Sequence, residues 1–294
     1  MADAPLISVI IPTFNNGPVV CQAIDCALNQ TYENLEVIVV DDGSSDNTMA
    51  MLERTYQDRI ISVRQENRGA GSARNTGIRH ASGHYVQFLD ADDLLDPDKL
   101  RIQMTELRNT PGKAVSYCDY LVCDMDKQPV NFRHVSPVLH PDKPYDDIIL
   151  KWETDLCIPI HCFLFDMVFF REFGIAFDEG LSANEDWDCW MNIFALEPAL
   201  FFVDQVLAYY RVRPDSRCRD RVKMRNSYLR AIDTQIQKNS VNGEIVGKLK
   251  FRKKQIKSLY KNESPLVKLL ERLHPAIKNL YTECVPWRIQ RIFD

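Results

Sequence analysis

The chain has 294 residues, 45% of them apolar and 26% charged, the size and balance of one large globular domain or somewhat more. No apolar run approaches the roughly 18 residues that a membrane-spanning helix needs. The nine cysteines show no zinc-site spacing, and Met1-Ala2-Asp3-Ala4-Pro5 shows no basic segment followed by an apolar one. Reduced thiols in the cytoplasm are therefore expected.

Charge is unevenly placed. From Arg211 onward there are 21 Lys+Arg and 8 Asp+Glu, a net of +13, which leaves 15 basic and 33 acidic residues, a net of −18, in the first 210. An acidic body joined to a basic tail points to a tail that meets an anionic surface.

Residues 6–11 are a short β-branched apolar run closed by Pro12, the pattern of a buried strand. Thr13-Phe14-Asn15-Asn16-Gly17-Pro18 turns the chain into a helical pattern ending near Gln30. A second strand covers residues 35–40 and stops in Asp41-Asp42-Gly43-Ser44-Ser45-Asp46, whose last residues suit a helix cap near Asn47. Residues 60–63 read as a third strand, Gly69 to Gly77 opens a further helix, and residues 85–89 form a fourth, buried strand. This alternation implies a parallel sheet with right-handed crossovers, in which ligands bind beyond the carboxyl ends of the strands. That edge carries Thr13, Asp41, Asp42, Asp90, Asp92 and Asp93.

Three acids ending a buried strand repel one another and cost stability, so a cation is expected there during function. Hard carboxylate oxygens without nearby His or Cys favour Mg²⁺ or Mn²⁺, which usually also hold substrate phosphates. The alternative is an acidic loop that only caps the next helix, where Asp96-Pro97-Asp98 sets Pro97 in a first turn.

From Pro111 the alternation decays. Residues 114–118 and 120–123 look like two strands, a Pro- and His-containing loop spans 129–144, and a helix begins near Tyr145. Asn184-Glu185-Asp186-Trp187-Asp188 opens another helix, and residues 201–203 and 206–210 read as two strands around a turn at Asp204-Gln205. After Arg211 the pattern is helical and basic, with Val222, Leu229, Ile232 and Ile236 on one face and Val246, Leu249, Ile256, Leu259 and Tyr260 on a second.

Five pieces in this order carry a resemblance: Ser8-Val9-Ile10-Ile11-Pro12-Thr13-Phe14-Asn15, Val39 through Asp46, Asn67-Arg68-Gly69 through Arg74-Asn75-Thr76-Gly77, Asp90-Ala91-Asp92, and Glu185-Asp186. Over roughly residues 6–215 the sequence resembles family 2 glycosyltransferases of the GT-A fold. The resemblance implies an α/β GT-A architecture, with a Rossmann-like nucleotide-sugar-binding half at 1–110 and an acceptor-binding half at 111–215 sharing a mixed central sheet. A basic, mostly helical extension follows at 216–294. It implies metal-dependent transfer of a hexose or N-acetylhexosamine from a UDP-sugar to a hydroxyl of a glycan or lipid-linked glycan, with inversion. The setting it implies is surface polysaccharide biosynthesis, lipopolysaccharide or capsule.

The resemblance also distributes roles. Thr13 and Asp41 fall where the family meets the nucleobase, and a carboxylate there can accept the ring N–H of uracil. Asn15 and Asp42 join this donor-binding set, although Asp41 and Asp42 are also suited to capping the following turn. Arg68 and Arg74 flank the segment under the ribose and diphosphate, or are ordinary helix-surface arginines. Asp92 would hold the Mn²⁺ or Mg²⁺ directly, and Asp90 the ribose or a metal-bound water.

Asp186 would be the catalytic base, opening a helix whose dipole favours an ionised acid; an ordinary acidic helix start is the alternative. Arg211 would return to the diphosphate, in a segment where the family often has a His two or three residues on and this chain has Arg213 or Pro214. Trp187 and Trp190 either stack on an acceptor sugar or pack in the core, and His161 is expected to be structural.

A nucleotidyltransferase shares such a sheet but brings a Gly-rich, basic loop after its first strand, which Thr13 to Gly17 lacks. A non-catalytic sugar- or nucleotide-binding protein of the same fold is the other rival. No nucleic acid partner is expected. The basic tail suggests peripheral contact with anionic lipid on the cytoplasmic face of the inner membrane; a solvated face, or one paired with the acidic body, is the alternative.

Overall fold

The computed structural model describes residues 4–110, 112–130, 136–213 and 220–261, with the backbone alone at 221 and 259–261. Pro214-Asp215-Ser216 and the tail beyond Lys261 lie outside the described residues, as do the side chains of Leu259 and Tyr260. Strands β1 (Ile7–Thr13), β2 (Leu35–Asp41), β3 (Ile61–Arg64) and β4 (Tyr85–Phe88) lie parallel in the order β3-β2-β1-β4. All of β1 is buried, as its unbroken β-branched run requires of a central strand covered on both faces.

Side-chain alternation along β1 decides which helix covers which face. Val9 and Ile11 join Val37 and Val39 in a core with Val20, Ala23 and Ile24 of α1 (Gly17–Leu28), Leu52 of α2 (Thr48–Tyr56), and Leu100 and Met104 of α4 (Lys99–Leu107). On the opposite face α3 (Ala70–His80) comes so close that a Cβ on Gly77 would sit 2.3 Å from Ile10 Cγ2. The glycine that closes the Asn75-Thr76-Gly77 motif is thus a packing requirement of the crossover.

The sheet continues as β4-β7-β6-β8-β5, eight strands in all, with β5 (Leu94–Leu95), β6 (Ala114–Cys123), β7 (Phe163–Asp166) and β8 (Ala199–Arg211). β7 runs antiparallel to β4 and β6, β8 parallel to β6, and β5 antiparallel to β8, so the sheet is mixed. The two strands expected at 114–118 and 120–123 are one strand, and so are the two expected at 201–203 and 206–210. Cys118 pairs with Val203 and Asp119 with Val206, so Asp204 and Gln205 are accommodated as a β-bulge instead of a turn. Pairing along β6 on either side of the bulge keeps β8 extended through it. Leu94 and Leu95, between the acidic turn and Asp96-Pro97-Asp98, pair with Tyr209 and Ala208 and tie the acidic turn to the end of β8.

The remaining helices are α5 (Pro144–Leu150), α6 (Val168–Arg171), α7 (Glu185–Phe194), α8 (Arg221–Lys238) and α9 (Gly243–Lys261). The chain forms two compact units. One takes residues to Val138, Ile158–Gly180 and Asn192–Arg211, and holds the whole sheet. The other takes Leu139–Cys157, Leu181–Met191 and the described residues from Val212 to Lys261. In sequence these units interleave, because the sheet is completed only after two excursions of the chain. Among the described residues no helix is long and apolar enough to cross a membrane.

Candidate active site

β1 and β2 end in step, with Thr13 opposite Asp41. Asp41 Oδ1 accepts from the Ser44 amide at 3.1 Å, and Oδ2 lies 3.5 Å from Arg64 Nε. The buried Thr13 Oγ1 has no hydrogen-bond partner among the described residues, so a polar atom stands ready beside the carboxylate. Asp42 holds the loop into α3: it accepts from the Arg68 amide at 2.9 Å, the Gly69 amide at 2.8 Å and Gln65 Nε2 at 2.8 Å. Asn15, at φ 51°, accepts from the Ser45 amide at 2.8 Å and donates its own amide to Ser44 Oγ, which links the first two strand-end loops.

The two arginines of the third motif differ. Arg68 is largely exposed and pairs with Glu179. The Glu179 carboxyl is held below its ordinary range first by Asn75, against burial, with Ser72 and Arg68 adding to the effect. Arg74 is buried, places Nη2 2.7 Å from Asp90 Oδ1, and lies 5.4 Å from the centre of the Phe177 ring. Asn75 fixes that ring's backbone by accepting from and donating to Phe177, both at 2.9 Å.

The acidic turn separates its three carboxylates. Asp93 is buried, accepts the Arg211 amide at 2.8 Å on Oδ1 and lies 3.0 Å from His161 Nδ1 through Oδ2. One of the three acids attributed to a bound cation is therefore balanced by the protein itself. Asp90 and Asp92 are half-buried at the carboxyl end of β4. The buried Arg211 side chain donates to the Asp92 carbonyl and to Gln22 of α1, and burial pulls its guanidinium down against the opposing pull of Asp93 and Asp92. Gln22 and Glu179 carried no motif; only their three-dimensional neighbours reveal them.

Among the described residues no group of three or more His, Cys, Asp and Glu side chains could enclose a metal ion. Two carboxylates of hard oxygen nevertheless fit Mg²⁺ or Mn²⁺, which ordinarily take one or two carboxylates and complete their octahedron with phosphate and water.

In the second unit, Asp186 is the second residue of α7 and half-buried, its Oδ1 2.7 Å from the Trp187 amide. Trp187 and Trp190 are fully buried, Trp187 donates to the Ile148 carbonyl at 2.8 Å, and its ring meets Tyr228 edge-on at 4.9 Å. Both are core residues. The basic stretch of α9 is also partly internal: Lys248 pairs with Asp146 and Glu244 at 2.6 Å each, Lys253 pairs with Asp233, and the fully buried Arg252 donates to the Trp152 carbonyl. Lys250, Lys254, Lys257 and Phe251 are exposed.

The mixed eight-stranded sheet with acids beyond the end of a central parallel strand is the architecture of the GT-A fold. The sequence model of glycosyl transferase family 2 matches residues 8–173, and the chain belongs to that family. An uncharacterised glycosyltransferase of Rickettsia typhi is 36% identical over 71% of this chain and 64% of its own length. The chondroitin synthase of Escherichia coli is 30% identical over 66% of this chain and 27% of that one. This chain thus spans less than two thirds of these relatives.

Among solved structures, S. aureus TarS in complex with UDP-GlcNAc superposes with a TM-score of 0.62 at 19% identity, covering 84% of this chain and 72% of that chain. The Pyrobaculum calidifontis mannosyltransferase in complex with GDP-Man and Mn²⁺ gives 0.60 at 21% identity, over 98% and 84%. These likenesses establish the fold.

The His161–Asp93 pair yields a pH test. Burial pulls the His161 imidazole down, but Asp93 more than offsets it, so the group sits above its ordinary value of about 6.5. A raised pKa in the folded chain adds stability that is full below the unfolded pKa and is lost as pH rises through the folded one. Urea unfolding from about pH 6 to about pH 9 should show a larger loss for wild type than for His161→Gln. Superimposable pH profiles would contradict the pairing.

Proposed function

We propose that this chain is a metal-dependent inverting glycosyltransferase that moves a hexose or N-acetylhexosamine from a UDP-sugar to a hydroxyl of a glycan or lipid-linked glycan. The observation that carries the reading is the placement of Asp90 and Asp92 beyond the end of β4, with Arg74 on Asp90 and Arg211 on the turn. Asp90 and Asp92 would hold Mn²⁺ or Mg²⁺, which when bound supplies Lewis-acid charge neutralisation at the departing diphosphate. Asp41, with Arg64 and Thr13 near it, offers a carboxylate and a hydroxyl to the ring N–H and carbonyl of a pyrimidine.

Asp186 takes the proton of the acceptor hydroxyl as the new oxygen–C1 bond forms and the C1–phosphate oxygen bond breaks. The electron pair of that bond leaves with the nucleoside diphosphate. Family membership and the nucleotide-sugar complexes of the two fold relatives support a sugar nucleotide as donor.

UDP release from UDP-glucose or UDP-N-acetylglucosamine, whichever the wild type turns over, tests the roles separately. Asp186→Asn should lower kcat by about 10²- to 10⁴-fold, the range for a lost general base, with little change in KM. Asp92→Asn should impair both parameters. Wild-type kcat in Asp186→Asn would end the assignment of the base.

The exposed Lys250, Lys254 and Lys257, with Phe251 among them, support contact between α9 and anionic lipid, where a lipid-linked acceptor would be met. Each lysine near such a surface contributes about 1 kcal/mol. Phosphatidylserine-containing vesicles at low salt should retain the wild type about 100-fold better than a variant with all three lysines changed to alanine. Equal retention would leave α9 as a solvated face.

A further inference from the structure

We infer that α8, which lies beyond the family-matched residues 8–173, is the positioning element for the catalytic base. The inference rests on Asp186 being that base. One stripe of α8 faces the segment that carries Asp186. Ser227 stands at its start: Ser227 Oγ accepts the Ala183 amide at 3.1 Å and donates to the Ala183 carbonyl. One turn-spanning hydroxyl therefore holds both backbone groups of the residue three before Asp186.

Tyr228 packs edge-on against Trp187, the residue after the base. Gln235 Nε2 then donates to Asp188 Oδ1 at 2.7 Å, and Lys238 Nζ lies 3.2 Å from Asp188 Oδ2. Asp188 is buried, so those partners are a condition of its being there. The base is bracketed on both sides in sequence by contacts to a single helix.

The backbone entering α7 adds a constraint. Asn184 has φ 57° and its carbonyl accepts the Asp188 amide at 3.1 Å, which starts the helix. Asn takes the left-handed region more readily than other non-glycine residues, and a side-chain hydrogen bond holds it there. That bond is Asn184 Nδ2 to Glu153 Oε1 at 2.6 Å, and Glu153 itself has φ 59°. Two residues in left-handed conformations are thus locked to each other next to the helix start. Arg252 of α9 sits behind them, donating to the Trp152 carbonyl and to Thr154 Oγ1 on either side of Glu153. The basic extension, read from composition as a tail, supplies the frame of the Asn184–Asp188 segment. A misplacement of about 1 Å costs on the order of 100-fold in rate, so the frame should be visible in kcat.

The test uses the full chain and the same UDP-release assay. Ser227→Ala and Gln235→Leu should each lower kcat by about 10- to 100-fold, while donor KM and calorimetric affinity for UDP with Mn²⁺ stay at wild-type values even where the melting temperature falls. Ser227→Thr, which keeps the hydroxyl, should recover most of the loss. Two results would overturn the inference: wild-type kcat in both variants while Asp186→Asn is inactive, or a loss of kcat that is matched by an equal loss of UDP affinity. Wild-type turnover by Asp186→Asn would remove the base assignment itself, and the inference with it.

Discussion

Burial of Asp93 is the constraint on which the donor end of the sheet depends. A carboxylate this far from water costs several kcal/mol unless its oxygens are matched. They are matched by an amide of β8 and by an imidazole from the turn that leads into β7, the neighbour of β4. The match fixes the acidic turn against the last residue of β8, and the Arg211 side chain then reaches across to the Asp92 carbonyl and to α1. With Asp93 satisfied inward, Asp90 and Asp92 are left at the rim. The acids that look equivalent in sequence are separated by burial into one buried group and two half-buried ones, with Arg74 on Asp90.

A similar division runs through the basic extension. Lys248 and Lys253 pair with carboxylates of their own unit, and Arg252 is buried against carbonyl and hydroxyl oxygens. Burial raises the Glu153 carboxyl, with the Asn184 hydrogen bond and the Arg252 charge opposing it. The net +13 of the chain from Arg211 onward therefore overstates the charge that is free to meet an external surface.

The parallel half of the fold was legible because β1, β2 and β4 are largely apolar runs ended by a turn signal, as burial on both faces demands, while the edge strand β3 is only partly buried. The family motifs were legible for mixed reasons. Gly77 is required by the approach of α3 to β1, Asn75 by the backbone of Phe177, and Asp42 by the loop into α3, whereas Asp90 and Asp92 are the residues proposed to hold the metal. Reading failed where pairing, not local preference, sets the conformation. Asp204 and Gln205 carry a turn signal, yet they bulge inside a strand that β6 holds extended. Lys99 and Arg252 are fully buried although their residue types predict exposure, because Gln87 and Gln103 in one case and the Trp152 carbonyl in the other accept their hydrogen bonds. No sequence pattern announces partners that distant.

The central claim is that Asp90 and Asp92 form a metal-assisted nucleoside-diphosphate site at the end of β4. Calorimetric titration of the full chain with UDP, GDP, ADP and CDP, with and without Mn²⁺, tests it most directly. The account predicts that UDP binds best, that binding needs the metal, and that Asp92→Ala abolishes it. Equal, metal-independent binding of every nucleotide, or UDP binding unchanged in Asp92→Ala, would contradict it.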